Sequence, residues 1–170
     1  MNRRCGLKPD FCYNAPIMQK DKPKRPARLD RATLLPRVGR MEQLASIRRL
    51  AAEDGKGRGM RVWEVSNGSG LAFTVYPDRG LDIGQASIHG VPVVWISANR
   101  EVAPAFHEPE GAGWLRSWGG GLLTSCGLAN VGVPCVAGGE SLGLHGRLSH
   151  LPAEEVNATA GWTAEGRYAL

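Results

Sequence analysis

Between Met60 and Tyr76 two short runs alternate between two faces, the first setting Met60, Val62 and Glu64 against Arg61, Trp63 and Val65 and Leu71 to Tyr76 dividing similarly, and the four residues between them, Asn67-Gly68-Ser69-Gly70, suit a tight reversal. Alternation with a period of two fits a half-buried strand, and Asn and Gly accept the positive φ that two-residue hairpin turns require. That hairpin constrains the chain more than any other segment, because it commits neighbouring sequence to an antiparallel sheet. The pattern recurs downstream. Leu81 to Ser87 and Val91 to Ser97 read as a second antiparallel pair turning at His89-Gly90. Upstream, Met41 to Ala52 is ambiguous, since Met41, Leu44, Ala45, Ile47 and Leu50 also fall at helical intervals. With 23 glycines and 11 prolines in 170 residues, turns are favoured over long helices. The expected class is all-β.

Other stretches break the strand rhythm. Asn99 to Gly113 has two prolines and no periodicity, so it reads as a long surface loop of the kind that often carries function. Gly119 to Leu128 is too glycine-rich for a strand centre and predicts bulges or close backbone approach, a ligand being one partner for that approach.

The net charge of +5 divides unevenly. Residues 1–36 hold nine Lys/Arg against three Asp/Glu, whereas the remainder holds twelve against thirteen. Residues 1–32 therefore read as a basic, disordered arm, and 33–170 as the folded portion. The arm has neither interleaved aromatics nor a helical repeat, so no nucleic-acid partner and no membrane partner is expected. No apolar run approaches the ~20 residues a membrane helix needs, and no signal-type segment opens the chain, which points to the cytoplasm. Cys5, Cys12, Cys126 and Cys135 form no Cys-x-x-Cys pair, so free thiols are expected, with no metal and no cofactor.

Three segments carry candidate chemistry: Pro77-Asp-Arg79-Gly-Leu-Asp82, Gly119-Gly-Gly-Leu-Leu-Thr124-Ser-Cys126-Gly-Leu, and Leu142-Gly-Leu-His145-Gly-Arg147. A ring donor and a guanidinium fork two residues apart share a face if the strand is regular, and together fit a small polar ligand. With Val38-Gly-Arg40-Met-Glu-Gln43-Leu, Gly59-Met-Arg61, Trp95 and Pro152-Ala-Glu154, these motifs resemble, in order and from about Leu34 onward, an aldose 1-epimerase-like family of the galactose mutarotase superfamily, the domain of unknown function 4432.

The resemblance implies an antiparallel β-sandwich of the galactose mutarotase type, represented here by its N-terminal portion, and a short helical turn followed by a strand from Ser46 to Leu50. It implies carbohydrate epimerisation without a cofactor, on a monosaccharide, an acidic one included. Mutarotation opens a cyclic hemiacetal, with a base on the anomeric hydroxyl and an acid at the ring oxygen. The resemblance carries a role at the sugar to His145. The second histidine and the carboxylate base of mutarotases have no counterpart before Leu170, so this chain is expected to bind weakly and turn over little.

Each candidate has a bland alternative. His145 could pack between sheets, and Arg147 could pair with Glu154 or Glu155 instead of binding sugar. Arg79 is a sugar-site cation or an architectural residue, while Asp78 and Asp82 read as structural. Trp114 and Trp118 form an aromatic wall or, like Trp95, part of the core. Cys126 reads as a small buried strand residue, His89 as a turn residue, and His107 and His150 stand behind His145. A non-catalytic sugar-binding or sensing protein is the first rival, and an interaction module driven by the basic arm is a remote one. The oligomeric state is left open.

Overall fold

The computed structural model of the chain describes residues 31–170, so most of the expected basic arm lies outside the described residues. A single turn of helix, α1 (Arg31–Leu34), precedes a five-stranded sheet built from β1 (Ser46–Ala51), β2 (Arg61–Ser66), β3 (Leu71–Tyr76), β4 (Asp82–Ile88) and β5 (Val91–Pro92). The strands lie in sequence order and each pairs antiparallel with the next. Two small ribbons follow, β6 (Cys135–Ala137) with β7 (Glu140–Leu142), and β8 (Gly161–Trp162) with β9 (Tyr168–Ala169). The class is all-β. Among the described residues no helix is long and apolar enough to cross a membrane.

The turns follow from residue chemistry. Asn67 Oδ1 accepts from the amides of Ser69 at 2.9 Å and Leu71 at 3.0 Å, and Gly68 and Gly70 supply φ of 69° and 106°. The β4–β5 turn has φ of 52° at His89 and 79° at Gly90, the double positive φ of a type I′ turn. The ambiguous Met41 segment resolves into one 3-10 turn, Met41–Gln43, and then β1, because pairing with β2 satisfies the backbone that a longer helix would otherwise have to satisfy.

The expected strand from Val91 to Ser97 is mostly absent. Pro92 has no N–H to offer the ladder, and after Val93 the chain leaves β4. It pairs instead with the glycine block: the amide of Ser97 donates to Gly119 O, that of Gly121 to Trp95 O, and Ile96 bridges Gly120. The same block reaches β4, where Ile83 bridges Leu123 beside the register shift in β3–β4 pairing. The close approach predicted for Gly119 to Leu128 is therefore to the chain's own backbone. At Gly121, with φ of 119°, a Cβ would stand 2.6 Å from Ile83 O.

The small core holds Met60, Tyr76 and Ala103, with Val62 packed against it. Residues 99–113 are not simply a surface loop, since Val102 is only 1% exposed and Ala103 is buried.

Candidate functional site

Asp78 to Asp82 forms the floor. Pro77–Arg79 is one 3-10 turn, stopped by Gly80 at φ 57°, where the amide of Gly80 donates to Leu151 O at 2.8 Å. Asp78 takes the backbone amide and guanidinium of Arg61, as a turn carboxylate can. The Arg79 guanidinium, 4% exposed, turns inward, donates to Val102 O at 2.7 Å and lies 3.5 Å from Asp82. Asp82 Oδ1 accepts from the amide and hydroxyl of Ser125, both at 2.6 Å. Burial raises the Asp82 carboxyl and lowers the Arg79 guanidinium, each opposed by the other's charge. These bonds fix four other segments to one turn.

The 3-10 turn Gly113–Arg116 carries Trp114. Trp95, Trp118, Trp114 and His145 form a continuous row of rings, with successive centroids 5.4, 5.8 and 4.8 Å apart. His145 meets Trp114 edge-on at 68°. Trp114 is 6% exposed and backs the row, whereas Trp118 is half-buried and bonds Thr124 Oγ1, and Trp95 is exposed.

The His145-Gly-Arg147 segment is not a regular strand. His145 and Gly146 have φ of 58° and 72°, and Gly146 bridges Gly127 where a Cβ would overlap the Gly127 carbonyl. Alternation therefore does not put the two side chains on one face: His145 is half-buried and Arg147 exposed. Among the described residues neither Glu154 nor Glu155 pairs with Arg147. Gly132 donates its amide to His145 Nδ1 at 3.2 Å, which leaves the proton of the neutral ring on Nε2. Cys126, expected to be buried, is exposed because its segment makes an isolated bridge rather than a strand.

Two histidines that the sequence placed second are drawn in. His107 and His150 stack with centroids 3.7 Å apart and planes 17° off parallel. Burial, then the Arg79 charge and His107, push the His150 imidazole down to about 3. Burial and the charges of Arg79 and Arg147 lower His107 as well. Ser117 and Ser149, 1% and 0% exposed, bond opposite nitrogens of His150 at 2.7 and 3.1 Å. No sequence signal marks these serines, because Ser117 and His150 lie 33 positions apart without a shared period. A groove of about 670 Å³ on the sheet, lined between Ser46 and Arg100, includes none of these groups.

Residues 57–170 match the family described as "Domain of unknown function (DUF4432)". No curated protein matches the chain. A solved structure, that of a putative aldose 1-epimerase from Klebsiella pneumoniae subsp. pneumoniae MGH 78578, is similar at 26% identity with a TM-score of 0.57 over 66% of this chain. The match spans 32% of that chain.

Proposed function

The chain belongs to the DUF4432 family, and from that membership we propose that it is a carbohydrate-binding, aldose 1-epimerase-like protein taking a monosaccharide hemiacetal beside His145. One observation carries the reading: the His145 ring, its Nδ1 occupied by the Gly132 amide, stands against an indole row with Nε2–H left to donate. Sugars present C–H faces that pack on indoles and oxygens that accept hydrogen bonds. Trp118 supplies the apolar wall, Trp114 supports it, and Nε2–H polarises the ring oxygen. Arg147 reaches hydroxyls or an acidic substituent, while Arg79 acts from below as scaffold and charge.

The same geometry favours binding over turnover. With Nδ1 accepting from the Gly132 amide, the His145 ring offers the sugar a single donor, Nε2–H. Asp82, the buried carboxylate, is committed to Ser125 and Arg79 rather than free to act as a base. The exposed thiols of Cys126 and Cys135 suit the reducing cytoplasm.

The test is NMR of anomer exchange and of binding for a panel of neutral and acidic aldoses, using the 170-residue chain and His145→Ala. Binding that weakens about five- to tenfold in the variant, with little exchange, is expected, since a hydrogen bond to a sugar oxygen contributes ~1–1.5 kcal/mol. If the folded chain binds no aldose, the reading fails.

A further inference from the structure

The side chains around His150 form a closed circuit whose direction can be assigned from donor counts alone. An indole nitrogen only donates, so Trp114 Nε1–H gives its proton to Ser149 Oγ at 3.1 Å. The Ser149 hydroxyl, having accepted there, turns its own proton toward His150 Nδ1 at 3.1 Å. Nδ1 is then bare and Nε2 carries the proton, which goes to Ser117 Oγ at 2.7 Å. The Ser117 hydroxyl closes the loop by donating to the backbone carbonyl of Trp114 at 3.1 Å. Every donor in the loop is used once. The opposite tautomer would leave the Ser149 proton without an acceptor in the loop and make Ser117 choose between two acceptors. All four residues are at most 6% exposed, so water cannot easily make good a missing bond.

We infer that His150 is a positioning residue: fixed as its Nε2–H tautomer, it ties the Trp114 indole to the Trp114 backbone through two serines, and so holds the Trp114 ring against His145. The circuit explains a pairing with a different first appearance. A serine hydroxyl 2.7 Å from an imidazole resembles a nucleophile and its base, but the Ser117 proton belongs to Trp114 O, and Ser117 is 1% exposed. The groups facing His150 are His107, stacked on it, and Arg79, whose charge opposes protonation; neither offers an anion. The functional consequence rests on the sugar reading, but the circuit does not.

Side-chain 15N correlation spectra of the labelled 170-residue chain test this without any sugar. The expected pattern is a protonated Nε2 and a bare Nδ1 for His150 from pH 5 to 8; an Nδ1–H form or an averaged signal would overturn the inference. In His150→Leu the Trp114 indole N–H and the His145 ring signals should both shift, while β2 and β3 amides stay in place. His150→Gln, which keeps a side-chain N–H donor, should restore part of the shift. Ser149→Ala, a smaller change, should move the same two signals if the leucine variant does not fold. Unmoved His145 signals in every folded variant would break the link. Titrating aldoses into the wild type separates the two ideas: no response, with the tautomer as expected, removes the sugar reading and leaves the positioning role standing.

Discussion

Acid should weaken the fold through His150 in particular, by an amount that follows from its surroundings. The imidazole is 6% exposed, stacked on another imidazole and near the Arg79 charge, so its proton affinity falls from an ordinary 6.5 to about 3. For a base whose folded value is depressed, the unfolded chain takes the proton first. The contribution is therefore whole above pH 6.5 and is lost as pH falls from 6.5 toward 3, at about 1.4 kcal/mol per unit. At pH 4.5, two units below the unfolded value, the loss is about 2.7 kcal/mol, a figure that holds for any folded value below about 4. With a urea slope of ~2 kcal/mol per molar, the midpoint should drop ~1.3 M between pH 7.5 and 4.5. His107 is shifted in the same sense, whereas Asp82, whose carboxyl is raised by burial, favours the folded state on acidification. Comparing His150→Gln with its parent in a His107→Gln background cancels the Asp82 contribution and removes that of His107. A difference that stays flat from pH 7.5 to 4.5 would refute the reasoning, since it would mean the buried ring takes its proton as readily as an exposed one.

Asp82→Ala should cost about 3–5 kcal/mol in urea unfolding, because it leaves the buried Arg79 charge and both Ser125 donors without their acceptor. Adding Arg79→Met should recover about 1–3 kcal/mol as coupling, and strict additivity would contradict the pairing. Gly121→Ala should cost about 1–3 kcal/mol or more, as its φ of 119° and the Ile83 carbonyl leave no place for a Cβ. Gly39→Ala, with nothing within 4 Å, should fall within about 0.5 kcal/mol of the parent by the same measurement.

Local chemistry made the sheet legible. The Asn67 turn and the His89-Gly90 turn, with the antiparallel pairing each one starts, depend on residues within one hairpin, and each appears where the pattern predicts it. Legibility faded where the partner lay far along the chain. The run from Val91 to Ser97 has strand composition, yet Pro92 and the glycine block divert it after two residues, and nothing in the run itself points to Gly119. The His145 motif was readable as a place for chemistry, but its alternation was not, since the parallel contact of Gly146 with Gly127 sets the backbone at positive φ. Trp114 was visible as a candidate and as a core residue; its tie to Ser149 was not. Polar circuits assembled from three segments leave no periodic trace.

The turn at Pro77 to Gly80 has a kinetic consequence. Its backbone is clasped by Leu151 and Ala153, some seventy residues later. Closing a loop of ~70 residues costs roughly 4 kcal/mol of chain entropy, against about 1 kcal/mol for a four-residue hairpin turn. The hairpins can form by themselves, but the clasp gains nothing until residues near 80, 102, 125 and 151 have all arrived. The ring cluster is thus organised after the hairpins, and substitutions in it should speed unfolding more than they slow folding.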